Sequence, residues 1–179
     1  SGCKTCSVVC KVANNIPNDI IWNRVLTEGG NAPDTAGGTW DNPEMQHWPV
    51  ACQHCENPEC VKVCPTEASF VAEDGSIQVD KEKCIGCKYC MAACPYGARV
   101  QIEETGVIEK CRFCWYEGEP GNPPRCVNTC ISGARIFGDL DDPNSEVSKL
   151  IGSVETVRLM EDLGTGPQIY YIPELGGKA

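Results

Sequence analysis

Short runs of β-branched and aromatic residues, separated by turn residues, set the pattern of the middle of the chain. Ser69-Phe70-Val71-Ala72, then Asp74-Gly75, then Ile77-Gln78-Val79 reads as a β-hairpin. The pattern recurs where the run 99–102 and Val107-Ile108 flank Gly106. Ala134 to Phe137 reads as a strand without a returning partner, and a partner strand is expected ahead of Ser1. Beyond Asp141-Asp142-Pro143, Asn144 or Ser145 can cap a short helix reaching about Ile151. Thr156 to Met160 and Gln168 to Ile172 then read as strands of an extension that clamps against the core or a partner, and the tail 176–179 reads as loose. Residues 13–50 form a long segment broken by Gly29-Gly30, Pro33, Gly37-Gly38, Pro43 and Pro49. Its tryptophans, Trp22, Trp40 and Trp48, fit either a satellite core or anchors on a partner surface.

Cysteines divide this pattern into four units. Cys84, Cys87, Cys90 and Cys94-Pro95 match C-x2-C-x2-C-x3-C-P, the bacterial ferredoxin run in which three thiolates hold one cubic cluster and the fourth reaches a second. Cys52, Cys55, Cys60 and Cys64-Pro65 repeat the run with one wider gap. Cys111, Cys114, Cys126 and Cys130 repeat it with a Gly- and Pro-rich insertion, and Ile131 stands where proline would be. Cys3, Cys6 and Cys10 supply the last three positions of another copy, whose first cysteine is expected one position before Ser1. With that residue the ligands suffice for four [4Fe–4S] clusters.

Composition narrows the alternatives. Fifteen cysteines in 179 residues suit a disulfide scaffold or a metal protein. The odd count and the two- and three-residue spacings oppose disulfides, which such close cysteines form only under strain. A zinc ribbon needs two separated C-x2-C pairs and leaves the third cysteine and the Cys-Pro unexplained. Only three Phe and three Met are available to a core, so the clusters replace part of it. The formal charge of −10 falls to about −18 with four oxidised clusters, which excludes nucleic acid as a natural partner. No stretch of eighteen apolar residues crosses a membrane, and no signal peptide is visible.

If the fourth cysteine of each run serves a neighbouring cluster, the second and third runs pair, and the first and fourth pair around them. Cluster 1 then takes the expected N-terminal cysteine, Cys3, Cys6 and Cys130; cluster 2 takes Cys10, Cys111, Cys114 and Cys126. Cluster 3 takes Cys64, Cys84, Cys87 and Cys90, and cluster 4 takes Cys52, Cys55, Cys60 and Cys94. Retention of all four cysteines within one run is the alternative. The corresponding units are 1–12 plus 107–140 outside, 51–106 inside, 13–50 as a Trp-rich insertion and 141–179 as an extension.

Cys-Lys-Thr-Cys at 3–6, Cys-Gln-His-Cys-Glu-Asn-Pro-Glu-Cys at 52–60, Cys-Ile-Gly-Cys-Lys-Tyr-Cys at 84–90 and Ala-Cys-Pro-Tyr-Gly-Ala at 93–98 carry a resemblance. So do Pro-Arg-Cys-Val at 124–127 and Gly-Thr-Gly-Pro-Gln-Ile-Tyr-Tyr-Ile-Pro at 164–173. The chain resembles, over nearly its whole length, the four-cluster iron–sulfur subunit of dimethyl sulfoxide reductase-family molybdenum enzymes. The resemblance implies an α+β fold of two intertwined, pseudo-symmetric ferredoxin-like units with short hairpins. It also implies a non-catalytic electron-transfer subunit, wired between a large molybdenum or tungsten bis-pterin subunit and a membrane-anchor or haem subunit exchanging electrons with quinone. Co-export with the catalytic subunit to the periplasmic face is expected, with the cytoplasmic face left open. Ile131 departs from the family pattern.

Other residues invite roles beside structural readings. Lys4, Lys88, Lys110 and Arg112 adjoin ligands and either stabilise reduced clusters or are solvated surface cations. His54 can bond a cluster sulfur or a carbonyl; His47 reads as packing or surface; Tyr89, Tyr96 and Trp115 read as apolar shielding. A free-standing polyferredoxin is the competing function. No radical-SAM C-x3-C-x2-C run and no nucleophile with a convincing base supports an enzyme acting alone.

Overall fold

The computed structural model describes residues 2–29, 35–114 and 122–173. The expectations for the segment ahead of Ser1, for Gly30, Pro33 and Trp115, and for the tail lie outside them. In chain order the elements are α1 (Thr5–Ala13), β1 (Arg24–Glu28), β2 (Gly37–Thr39), β3 (Asn42–Glu44), β4 (Gln46–Val50), α2 (Glu59–Lys62), β5 (Ser69–Val71) and β6 (Ile77–Val79). There follow α3 (Tyr89–Ala92), β7 (Arg99–Gln101), β8 (Ile108–Lys110), α4 (Arg125–Asn128), α5 (Glu146–Ser153) and a 3-10 turn (Glu161–Leu163). The architecture is a small α+β one of short antiparallel strand pairs: β1–β4, β2–β3, β5–β6 and β7–β8.

Both expected central hairpins form, and their turns explain them. In β5–β6, Ser69 faces Val79. The turn closes with Ala72 N–H on Ser76 O at 2.8 Å, while Asp74 Oδ1 accepts from the Ser76 N–H and hydroxyl. Gly75 takes a positive φ of 77°, which its missing Cβ makes inexpensive. In β7–β8, Arg99 faces Lys110, and Ile102 and Val107 continue the pairing beyond the strands at 2.9 Å.

Residues 13–50, read from sequence as one long broken segment, instead contain a hairpin within a hairpin. Arg24 faces Val50 and Glu28 faces Gln46, while β2–β3 extends between them. The three tryptophans separate physically. Trp22 is 3 % exposed in a cluster with Cys10, Ile16, Ile20 and Ile102. Trp48 packs edge-on against Tyr171, with ring centroids 5.4 Å apart, and its Nε1 donates to Glu28. Trp40 is fully exposed. The satellite-core reading therefore holds for Trp22, and Trp40 remains available to a partner.

Two other expectations change. Residues 134–137 are not a strand: among the described residues no partner offers them a ladder, and Ile136 is exposed. The late strands at 156–160 and 168–172 reduce to one antiparallel bridge, Val157 with Tyr171. The expected helix does form as α5, where Ser145 Oγ accepts the Ser148 N–H at 3.2 Å. The extension clamps back onto the core. Its carbonyls at Gly166 and Thr165 accept from Glu56 and Asn57 N–H at 2.8 and 2.9 Å, Gln168 N–H donates to Gln53 O, and the Tyr96 and Thr165 hydroxyls meet at 2.6 Å. Among the described residues no helix is long and apolar enough to cross a membrane.

Candidate metal centre

Each cysteine run folds around a helix, which its spacing alone does not announce. Cys6, Cys60, Cys90 and Cys126 lie in α1, α2, α3 and α4, each one residue past the helix start, and Cys10, Cys64, Cys94 and Cys130 follow four residues later. One helical turn thus separates the third and fourth thiols of every run. Lys4 and Lys88 precede α1 and α3 in the left-handed region. Gly86, at φ 67°, lies where a Cβ would collide with the Gly106 carbonyl, so the Cys84–Cys87 loop requires glycine there.

The thiols gather across the runs. Cys52, Cys55, Cys60 and Cys94 line one small, partly open pocket, so Cys94 joins the three thiols of the preceding run. Cys10 lies among Cys111, Cys126 and Cys114, and α1 packs on α4. Cys90 has Cys84 and Cys64 as electrostatic neighbours. Cys126 is also near Cys6. Cys3 and Cys87 are exposed, and Cys3 Sγ bonds the Thr5 hydroxyl. Cys130 Sγ lies 3.6 Å from the Ser132 hydroxyl, as Cys64 Sγ lies 3.8 Å from that of Thr66.

These thiols sit in unlike electrostatic surroundings. Burial, helped by the neighbouring thiols, pushes Cys10 far above the ordinary range. Burial also raises Cys52, but His54 and Lys110 more than offset it, and the thiol comes down to about 5. Burial raises Cys64 and Cys130 too, and hydrogen bonds outweigh it: the Ser69 amide at 3.4 Å for Cys64, the Ser132 hydroxyl for Cys130. The Ile108 amide donates to Cys84 Sγ at 3.5 Å, and Asn14 Nδ2 to Cys10 Sγ at 3.8 Å. Such N–H···S contacts stabilise negative charge on sulfur.

His54 has φ 45° and is 3 % exposed. Its Nδ1 accepts the Ile77 N–H at 3.0 Å, which leaves Nε2 to carry the proton. Nε2 is buried without a hydrogen-bond partner, and the thiols of Cys52 and Cys111 are neighbours of the ring. Of the four cations adjoining ligands, Lys110 is buried, with its ammonium on the Ile77 and Cys111 carbonyls. Lys4 and Lys88 are exposed, and Arg112 lies over the Trp22 ring and pairs with Glu109. Tyr96 is buried, whereas Tyr89 and Ile131 are exposed; His47 Nδ1 meets the Thr27 hydroxyl at 3.3 Å. Sequence reading missed Arg99, whose Nη2 donates to Cys60 Sγ at 3.0 Å.

Residues 43–140 match the 4Fe-4S dicluster domain family. Over 96 % of its length the chain is 47 % identical to a Halobacterium salinarum protein described as a dimethyl sulfoxide reductase iron-sulfur subunit, of which it covers 74 %. It is 39 % identical to a polysulfide reductase chain of Wolinella succinogenes, over 98 % of its own length and 90 % of that relative's. The chain belongs to the iron–sulfur subunits of dimethyl sulfoxide reductase-family enzymes. The thiosulfate reductase electron transfer subunit of Salmonella typhi is a further relative, 42 % identical over 94 % of this chain and 85 % of its own.

An iron–sulfur subunit of this family carries [4Fe–4S] clusters, and its fifteen cysteines fit four. The donor set suits them: thiols in groups, with amide, guanidinium and imidazole N–H donors beside the sulfurs. Among the described residues no three Cys, His, Asp or Glu side chains converge closely enough for a single metal ion.

Proposed function

We propose that this iron–sulfur subunit conducts electrons between a large molybdenum or tungsten bis-pterin catalytic subunit and a membrane-anchor or haem subunit linked to quinone. It is the electron-transfer subunit and not the catalytic one. Each bound [4Fe–4S] cluster takes up and releases one electron. Cys52, Cys55, Cys60 and Cys94 hold one; Cys64, Cys84, Cys87 and Cys90 a second; Cys10, Cys111, Cys114 and Cys126 a third; Cys3, Cys6 and Cys130 serve a fourth. The observation that carries this reading is the single cavity lined by Cys94 together with Cys52, Cys55 and Cys60. The exchanged fourth cysteines make 51–106 one ferredoxin-like unit and 1–12 with 107–140 its pseudo-symmetric counterpart. The insertion 13–50 offers Trp40 to a partner subunit, and 141–173 braces the inner unit. The complex lies at the membrane, on the periplasmic face.

The chain's own residues prepare this conduction. Backbone amides of Ser69 and Ile108 donate to Cys64 and Cys84, while Arg99 and His54 bring polar hydrogens to Cys60, Cys52 and Cys111. These fixed donors compensate added negative charge with little rearrangement. A free-standing polyferredoxin is set aside by the relationship to reductase subunits. The test is iron and acid-labile sulfide per chain in the anaerobically purified complex, with low-temperature EPR during reductive titration. About sixteen irons with interacting S = 1/2 signals are expected; about eight or fewer, or zinc in their place, overturns the assignment.

A further inference from the structure

Arg99 opens β7 and is 4 % exposed, although it carries a full charge. Among the described residues no carboxylate forms an ion pair with it. Its Nη2 donates to Cys60 Sγ at 3.0 Å and to Ser69 Oγ at 2.6 Å, and its Nη1 is buried with no hydrogen-bond partner. The guanidinium's charge is felt by Cys60, Cys90 and Cys52. Cys60 and Cys52 line the cavity with Cys55 and Cys94, whereas Cys90 neighbours Cys84 and Cys64. One buried cation thus stands between two separate thiol groups.

A desolvated guanidinium is tolerable only against negative charge, and the cysteine sulfurs, which are negative once they hold a cluster, are what faces it. The two halves of the inner unit have divided the task unequally. Ser69 is the fifth residue after Cys64 and Arg99 the fifth after Cys94. At these matching positions one half supplies the cation and the other a hydroxyl that fixes its direction. A second arginine at 69 would set two guanidinium groups against each other.

We propose that Arg99 is a positioning residue shared by two clusters, a fixed cation that raises the reduction potentials of the Cys52/Cys55/Cys60/Cys94 and Cys64/Cys84/Cys87/Cys90 clusters together. Adding an electron to either makes it more negative beside the same permanent charge, so reduction at both is favoured. Arginine suits this because it cannot lose its proton at either redox state. The inference rests on the ligand assignment proposed above.

The test is EPR-monitored redox titration of the intact complex carrying Arg99→Gln, Arg99→Lys or Ser69→Ala, with iron counted in each. Signals are assigned to clusters with Cys55→Ser and Cys87→Ser. Arg99→Gln is expected to retain its iron and lower both potentials by about tenfold in the one-electron equilibrium, about 59 mV each, while leaving the other two clusters unmoved. Arg99→Lys is expected to lower the same two by less, and Ser69→Ala by less than Arg99→Gln. Unmoved potentials, an equal shift of all four, or a Lys variant as low as the Gln variant overturns the proposal. If Arg99→Gln loses iron, the other two variants decide by the same pattern. A wild-type complex short of about sixteen irons strikes the ligand assignment instead; full iron with unmoved potentials strikes Arg99 alone.

Discussion

The thiols around Cys52 and those around Cys10 come from the same repeated cysteine run but sit in opposite surroundings. Cys52 lies with His54, Lys110 and Arg99 close by, and polar hydrogens face its group. Cys10 packs with Ile16, Ile20, Trp22 and Ile102, and burial drives its thiol upward although Asn14 Nδ2 and Arg135 are near it. Helices α2 and α3 of the Cys52–Cys94 region pack against the hairpin strands β5 and β7, whereas the nine-residue helix α1, which carries Cys10, packs against α4. Ligand spacing therefore selects the metal group, while the neighbouring side chains set how readily it accepts an electron. The Cys52 group is expected to titrate at a higher potential than the Cys10 group, which a redox titration of the complex measures directly.

The sharpest challenge to that contrast is Cys94→Ser. It is expected to cost about four of about sixteen irons and to abolish the signal assigned to Cys52, Cys55 and Cys60, while the one assigned to Cys84, Cys87 and Cys90 survives. Loss of the latter instead would place Cys94 with its own run. Trp22→Ala attacks the apolar side. Removing this buried side chain should destabilise the chain by about 3–5 kcal/mol, seen as an earlier thermal transition under anaerobic conditions, with the Cys10 signal broadened before the Cys52 signal.

Tyr96→Phe tests the polar side more gently. Loss of its 2.6 Å contact with Thr165 should cost about 1 kcal/mol and expose 157–173 to faster limited proteolysis, without loss of iron. Trp40→Ala provides the baseline. Its side chain is fully exposed, so stability should stay within about 0.5 kcal/mol, and a larger loss would mean that Trp40 supports the fold.

The central hairpins were legible because Asp74-Gly75 and Gly106 stand between alternating runs short enough to pair locally. The nested hairpin was not, because β1 and β4 are separated by β2–β3 and Pro49 sits within β4, so nothing local announces the Arg24–Val50 pairing. Ala134-Arg135-Ile136-Phe137 has strand-like composition, yet composition cannot supply a neighbour, and the segment stays irregular among the described residues. The four cysteine runs, and with them the kind of metal group, were written in the spacing. Arg99 was hidden for a different reason: a cation in a short strand ordinarily faces water, and only the convergence of α2, α3 and β5 on its side chain makes it an interior charge. His54 drew notice through its place between two cysteines, but its left-handed backbone and the Ile77 amide that orients its ring are tertiary facts.

The strap formed by Thr165, Gly166 and Gln168 along the Cys52–Asn57 loop has a consequence for biogenesis. A ribosome delivers those residues more than a hundred positions after the loop they cover. Until they emerge, the Cys52 pocket lacks the part of its lining that Thr165 supplies. The wall that Thr165 gives the pocket is thus added only after the cysteines of all four runs have been made.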